Sequence, residues 1–153
     1  MGDDRRWFED LRVGEVWEHG PRTVTREEVV AFAREFDPQA FHLDEEAARG
    51  IGYGGVIASG WHTAALCHRM VVDGLAGRVA SLGSPGVDEL RWLRPVRPGD
   101  TLRLRVECVE ARASRSRPDR GLGRFRYELR NQSGETVMTM TALAFFARRP
   151  AGS

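Results

Sequence analysis

The sequence contains no lysine, and all 23 of its basic side chains are arginines. This absence excludes Schiff-base chemistry and every other mechanism that needs a side-chain amine. Cysteine is scarce as well, since only Cys67 and Cys108 are present, far apart and in no CxxC motif. We therefore expect two reduced, buried thiols and no disulfide framework. No set of His, Cys and Asp residues has the spacing of a metal site, so we expect no metal.

The chain also lacks the marks of membrane and nucleotide-binding proteins. No apolar run reaches the roughly 18 residues that a membrane span needs. The N-terminal stretch MGDDRRWFED has no apolar signal-peptide core. The absence of GxGxxG and phosphate-loop motifs predicts no nucleotide cofactor. A formal net charge of +1 gives no general attraction to nucleic acid. We expect a cytoplasmic protein that binds neither membranes nor nucleic acid.

The length and composition are those of one globular domain. The chain has 153 residues, of which 41% are hydrophobic and 29% charged. That is enough for a single hydrophobic core. We predict one domain over residues 7–148, with poorly anchored, flexible tails at residues 1–6 and 149–153.

Three helices are predicted in the first half of the chain. The first begins at Thr25, which forms a capping box with Glu28, and it ends near Phe36 because Pro38 follows. A short second helix covers residues 45–49. The third begins at Ser59 or Gly60 and extends to the glycines at positions 74 and 77. Its residues are apolar on nearly every side, which predicts a buried helix.

In the second half of the chain, apolar and polar residues alternate with the two-residue period of β-strands. Strands are predicted at residues 79–82, 87–93, 101–111, 123–130 and 136–146, after a first strand at residues 15–24 that Gly20 and Pro21 interrupt. The last strand is apolar on both faces, so we place it inside the sheet. An arginine-rich connection is expected at residues 112–122. This order predicts an α+β domain in which one long helix is wrapped by a curved antiparallel sheet.

The stretch between the first and third helices carries the chemistry. Asp37 and His42 are five positions apart, whereas partners on a helix face are three or four apart. Pro38 also biases Asp37 away from helical geometry. The two side chains therefore lie on a loop, where they can converge on one point. Gly60 starts a helix, and the first amides of a helix have no internal partners. An acid, a base and a free amide can together process a carbonyl compound.

This stretch resembles the signature of the MaoC-like dehydratases, the hot-dog-fold family that includes (R)-specific enoyl-CoA hydratases. Asp37, His42 and Ala48 stand at the fixed positions of that signature, and Phe32 stands at its aromatic position. The resemblance extends from about residue 7 to residue 148 and includes the turn PVRPGD at residues 95–100. The departures from the signature are Phe36 for Gly, Gln39 for Asn, Ala40 for Pro and Phe41 for an aliphatic residue. Ser59-Gly60 replaces the His-Gly that is common at the start of the central helix.

The resemblance implies a hot-dog fold and the reversible addition of water to a 2-enoyl thioester, which gives an (R)-3-hydroxyacyl thioester. It implies that His42 takes a proton from water and that Asp37 supplies the proton to Cα. Gly60 is expected to bind the enolate oxygen through its amide. Ser59 either contacts the substrate or only caps the helix. The substrate is a thioester of coenzyme A or of an acyl carrier, and no resident cofactor is expected.

Two other functions remain open. A hot-dog thioesterase usually has a carboxylate in the first turns of its central helix, but residues 60–66 contain none. A non-catalytic acyl-binding subunit of a heteromeric dehydratase would not need both Asp37 and His42. The arginine-rich connection either binds coenzyme A phosphates or is a solvated loop. We also predict a homodimer or a dimer of dimers, because an apolar sheet face ending at Phe145 and Phe146 needs a cover.

Overall fold

The computed structural model describes residues 5–75 and 78–152 of the chain. Its elements are two single-turn 3₁₀ helices, Phe8–Asp10 and Ala40–His42, together with β1 (Val16–Thr23), α1 (Arg26–Phe36), α2 (Glu45–Gly50), α3 (Gly60–Gly74), β2 (Val87–Trp92), β3 (Thr101–Ala113), β4 (Arg120–Arg130) and β5 (Thr136–Ala147). None of the described helices has the length and apolar character needed to cross a bilayer.

The five strands form one antiparallel sheet in the order β1-β3-β4-β5-β2. Because β5 lies between β4 and β2, the predicted interior position of the last strand is confirmed. Alternate residues of β3 face the core, and these are Leu102, Leu104, Val106 and Cys108. They pack with Leu66, Cys67 and Met70 of α3 in one hydrophobic cluster. This is the α+β, hot-dog arrangement that the sequence predicts, with a central helix wrapped by a curved sheet.

The predicted interruption of β1 is confirmed. The pairing of β1 with β3 shifts register between His19 and Arg22. Gly20 has φ +120, and a Cβ atom there would lie 2.9 Å from the carbonyl oxygen of Leu102. Only glycine fits this close approach between the two strands.

Side-chain caps start all three α-helices where the sequence predicts. Thr25 accepts a hydrogen bond from the amide of Glu28, and Asp44 accepts one from Ala47. Ser59 caps α3 by accepting from the amide of Trp61. The predicted capping box is half formed, since the Glu28 carboxylate pairs with Arg22 at 3.4 Å. The Asp44 cap lies at the end of the loop that contains Asp37 and His42.

The central helix is less enclosed than its composition predicts. Trp61, Ala65, His68 and Val72 form a stripe of exposed side chains along α3. Trp61 contacts Trp92 of the edge strand β2, and His68 and Val72 share an apolar cavity with Val87 at the other end of that strand. The exposed stripe therefore follows β2.

Two predictions about the strands need correction. Residues 79–82 form no strand, because Val79 and Ser81 make only isolated bridges, to Arg6 and Phe146. The arginine-rich connection is shorter than predicted, since β3 continues to Ala113 and β4 begins at Arg120. Hydrogen bonding between β3 and β4 extends both strands beyond the point where apolar and polar residues stop alternating in the sequence.

The ends of the predicted domain make defined contacts. Arg6 pairs with Glu15, and Arg149 donates to the carboxylate of Asp10. Residues 1–4 and 153 of the predicted tails, and Gly77 of the predicted helix end, lie outside the described residues. The limits 7–148 stay a prediction.

Candidate active site

Asp37 and His42 meet on the loop between α1 and α2. Asp37 ends α1, where its amide donates to the carbonyl of Ala33 at 2.9 Å. His42 is the last residue of the 3₁₀ turn that follows Pro38. The turn brings Nε2 of His42 to 3.2 Å from Oδ2 of Asp37, with 5% and 16% of the two side chains exposed. The predicted convergence of the two groups is thus present in the structure.

The hydrogen bonds of His42 determine where its protons lie. Nδ1 is 2.7 Å from the carbonyl oxygen of Ile57, which can only accept, so Nδ1 carries a proton and donates it. Nε2 then faces the Asp37 carboxylate. A proton between Nε2 and Oδ2 makes this contact a hydrogen bond. The pair can therefore hold one proton, give it up and take it back.

Asp37 accepts hydrogen bonds on both carboxylate oxygens. The Ser59 hydroxyl donates to Oδ2 at 2.7 Å, and Nε2 of Gln39 donates to Oδ1 at 2.7 Å. The Ser59 hydrogen bond is the main cause that lowers the pKa of Asp37, and the contacts with Gln39 and His42 add to it against the opposing effect of burial. Asp37 is accordingly a carboxylate at neutral pH.

Ser59 lies behind Asp37 rather than in the open cleft. Its side chain is 0% exposed. The hydroxyl accepts from the Trp61 amide at 3.3 Å while it donates to Asp37. Of the two roles left open by the sequence, capping is present, and the hydroxyl also connects the start of α3 to the carboxylate. Contact with a substrate is not possible unless Ser59 moves.

Gly60 is the first residue of α3 and lines the same cleft as Asp37 and His42. No described residue accepts a hydrogen bond from its amide. A Cβ atom at this position would lie 2.5 Å from the ring of Trp92. Glycine is therefore needed for the close packing of Trp92.

The cleft has a volume of about 400 Å³ and is open to solvent. Its lining includes Phe41, Tyr53, Ile57, Trp61, Trp92 and Arg94. The indole rings of Trp61 and Trp92 meet edge to face at 5.1 Å, and 61% and 45% of the two residues are exposed. Within residues 5–75 and 78–152, no three His, Cys, Asp or Glu side chains are arranged to hold a metal ion.

Sequence reasoning misses three parts of this site. Gln39 stands out in the sequence only as a departure from the family signature, although its position two residues after Asp37 indicates that it can reach the carboxylate. The Ile57 carbonyl belongs to the backbone, so no residue type in the sequence indicates that it accepts a hydrogen bond from His42. Trp92 is distant in the sequence from the loop, so nothing local predicts its contact with Gly60.

The arginine-rich connection lies at the other end of the sheet. Arg120 pairs with Ala147 of β5, whereas Trp92 pairs with Met138. Nine residues of strand at ~3.3 Å each separate these two points by roughly 30 Å. Arg112, Arg117 and Arg120 also form ion pairs with Glu110 or Asp119. This connection does not reach the cleft of its own chain.

Comparison with known proteins identifies the relatives of this chain. The profile of the MaoC like domain matches residues 10–124, which include the whole site. The chain belongs to the MaoC-like domain family. The crystal structure of a MaoC-like dehydratase from Rhodospirillum rubrum is 44% identical, with TM-score 0.86 over 95% of this chain and 99% of that one.

Two further relatives of this MaoC-like chain have informative names. Mesaconyl-CoA hydratase from Cereibacter sphaeroides is 31% identical over 147 residues, which are 94% of this chain and 42% of that protein. The (R)-hydratase of A. caviae, described as involved in PHA biosynthesis, has a TM-score of 0.73 at 24% identity, over 93% of this chain and 99% of that one. The second likeness is one of fold alone.

Proposed function

We propose that this MaoC-like protein reversibly adds water to the double bond of a 2-enoyl thioester. The observation that carries the proposal is the His42–Asp37 contact of 3.2 Å, with the other ring nitrogen of His42 held by the Ile57 carbonyl. A pair that holds one proton and shares a cleft with a helix-start amide supplies what hydration requires. The reaction needs one proton removed from water, one delivered to Cα, and a place for negative charge on the thioester oxygen.

The reaction balances on these groups alone. The water oxygen bonds to Cβ, a water proton passes to the Asp37–His42 pair, and the π electrons move to the thioester oxygen. The Gly60 amide donates to the resulting enolate, at the positive end of α3. The enolate then collapses as Cα takes a proton from the pair, which ends with the one proton it began with. No resident cofactor enters any step, and the thioester is the only organic substrate.

The ionisation of Asp37 indicates which group makes each of the two proton transfers. A carboxylate whose pKa is lowered by Ser59 and Gln39 is the form that accepts a proton from water. His42, with the shared proton on Nε2, then donates to Cα. This division reverses the roles that the family resemblance implies. It is the assignment that we propose for the hydration direction.

Two relatives support a proposal for the substrate and the product. Hydration of a coenzyme A thioester is the activity named for the mesaconyl-CoA hydratase that matches this chain. We propose a coenzyme A thioester here as well, and an (R)-3-hydroxyacyl product by analogy with the (R)-hydratase fold. We place the reaction in the cytoplasm, where acyl-coenzyme A pools are found.

A single assay tests the proposed reaction. The purified protein is given a short 2-enoyl-CoA in water, and absorbance of the conjugated double bond is followed together with free thiol. We expect conjugation to be lost without thiol release, and chiral analysis to give the (R)-3-hydroxyacyl product. Release of thiol with the double bond intact would indicate a thioesterase instead. No change in either signal would leave a protein that only binds acyl groups.

A further inference from the structure

We infer that Gln39 is a positioning residue for Asp37, because its side-chain amide fixes one carboxylate oxygen and presents that oxygen to water. The inference deepens the proposed hydratase function and rests on it. Gln39 stands two residues after Asp37, where the family signature has Asn, and its side chain is exposed in the cleft.

The acceptor sites of Asp37 are nearly all occupied. A carboxylate has about four lone-pair sites. Oδ2 uses two of them, for the Ser59 hydroxyl and for His42 Nε2. Oδ1 uses one, for Gln39 Nε2 at 2.7 Å. The remaining site on Oδ1 is where a water molecule can donate its proton, and Gln39 fixes the direction of that oxygen.

The backbone brings Gln39 into reach of Asp37. Its amide donates to the Asp37 carbonyl at 2.8 Å, which closes a tight turn around Pro38. The side chain therefore returns toward the residue it follows. Ser59 is buried and holds the inner oxygen, whereas Gln39 is exposed and holds the outer one. Gln39 is accordingly the contact that a substitution can remove without disturbing the helix cap.

Few other charges bear on the carboxylate. His42 and Ser59 contact it directly from the 3₁₀ turn and from the start of α3. Tyr53 and Arg94 line the same cleft, and Arg94 is paired with Glu135 at 3.1 Å. Loss of the Gln39 amide therefore removes the only donor to Oδ1 among the described residues.

The first test measures the Asp37 carboxyl directly. The pKa of Asp37 is followed by carbon-13 NMR in the wild type, Gln39→Met and Gln39→Glu. Met removes the donor at similar length, and Glu places a second negative charge against Oδ1. We expect the pKa to rise by about one unit in Gln39→Met and further in Gln39→Glu. The matched control is Gln132→Met, since Gln132 donates to Asp100 at 3.0 Å on a distant hairpin.

The second test is the pH profile of kcat/KM for hydration. Because a carboxylate must accept the water proton, the midpoint of the acidic limb should move to higher pH when the pKa of Asp37 is raised. At pH values below this midpoint we expect kcat/KM to fall roughly tenfold in Gln39→Met, which corresponds to one pKa unit. We expect a larger fall in Gln39→Glu. The loss should narrow as pH rises, and Gln132→Met should follow the wild-type profile.

The outcomes separate the two proposals. An Asp37 pKa that stays at its wild-type value in both Gln39 variants overturns the inference, even in an active hydratase. Equal pKa values of Asp37 in Gln39→Met and Gln39→Glu overturn it as well. A carboxylate held against Oδ1 would raise the pKa of Asp37 further than a methionine does, so equal values would mean that the side chain at position 39 does not lie against Oδ1. A normal pKa response in a protein that hydrates no thioester supports the positioning of Asp37 and overturns the proposed reaction alone.

Discussion

At the scale of single residues, the two ring nitrogens of His42 have separate partners. The Ile57 carbonyl holds Nδ1, and Asp37 faces Nε2. This separation fixes the orientation of the ring and leaves Nε2 facing Asp37 for proton exchange. A histidine bound only by side chains would have more freedom to turn or to change tautomer.

The pair itself is tested by removing each member. Asp37→Asn keeps the size of the side chain but accepts no proton, and His42→Ala removes the partner that carries the shared proton. We expect each to lower kcat about 10²-fold or more. The double variant should not multiply the losses, because both groups serve one proton cycle. Full activity in either single variant would place the reaction elsewhere in the protein.

Ser59→Ala is expected to lower stability in a pH-dependent way. The cap of α3 is worth about 1 kcal/mol at any pH. The hydroxyl also lowers the pKa of Asp37. A lowered pKa contributes stability above the unfolded value and loses it as pH falls through the folded value. Urea unfolding should therefore show a larger loss at pH 7 than at about pH 3.

The control for this experiment is the same substitution in an Asp37→Asn background. Without a titrating carboxyl, only the cap contribution remains. The cost of Ser59→Ala should then be equal at the two pH values. A pH-dependent cost that persists without Asp37 would assign the effect to another group.

At the scale of elements, the start of α3 depends on its contact with β2. Because the Gly60 amide is expected to bind the enolate oxygen, a side chain at position 60 should crowd the thioester carbonyl. The structure adds that the first obstacle is the ring of Trp92, which lies 2.5 Å from the point that a Cβ atom would occupy. The ring is part-exposed and can turn away, so the fold should survive the substitution.

Gly60→Val should lose most turnover and melt cooperatively at a lower temperature. Adding Trp92→Ala makes room for the new side chain and should recover much of the melting temperature. It should not recover turnover, because the valine still lies beside the amide that binds the enolate oxygen. Recovery of both properties in the double variant would show that the amide has no part in the reaction.

Elements fixed by neighbouring residues are predictable from this sequence. The caps Thr25, Asp44 and Ser59 each bond an amide two or three residues away, so the helix starts are predicted correctly. Pro38 ends α1 for an equally local reason. The meeting of Asp37 with His42 is predictable because both lie on one short loop.

Features fixed by distant residues are not predictable in this way. The strand predicted at residues 79–82 fails because its segment finds only single bridges to Arg6 and Phe146. The ends of β3 and β4 depend on pairing across the hairpin, and the contact of Trp92 with Gly60 depends on how α3 lies against the sheet. A periodic pattern states which residues can be buried, but not what covers them.

At the scale of the whole molecule, the exposed apolar surface differs from the predicted one. Phe146 is buried within the chain and packs on Phe125. A group of exposed apolar side chains lies on α3 and β2, and it includes Trp61, Val72, Val87 and Trp92. Among the described strands, β2 pairs only with β5, so its outer edge is open. This surface, rather than Phe145 and Phe146, is the one that a second copy would cover.

We therefore predict a homodimer or larger oligomer that assembles through α3 and β2. Light scattering at micromolar concentration should give at least twice the chain mass. Val72→Glu with Val87→Glu places charges in the interface and should give a folded monomer. Val13→Glu is the control, since Val13 is exposed in a turn away from this surface and should leave the mass unchanged. A monomeric wild type would contradict the prediction.

The exclusive use of arginine has a consequence for the titration curve of the protein. The isoelectric point that follows from the amino-acid composition is about 7.9. Carboxylates finish titrating below about pH 6, and guanidinium groups keep their protons beyond about pH 12, whereas lysines would begin to lose theirs near pH 10. Burial also raises the pKa of Cys67 to about 12. The isoelectric point therefore lies on a broad plateau, and electrophoretic mobility should stay near zero from about pH 8 to 10. Solubility should accordingly depend on salt across this whole range rather than pass through a sharp minimum.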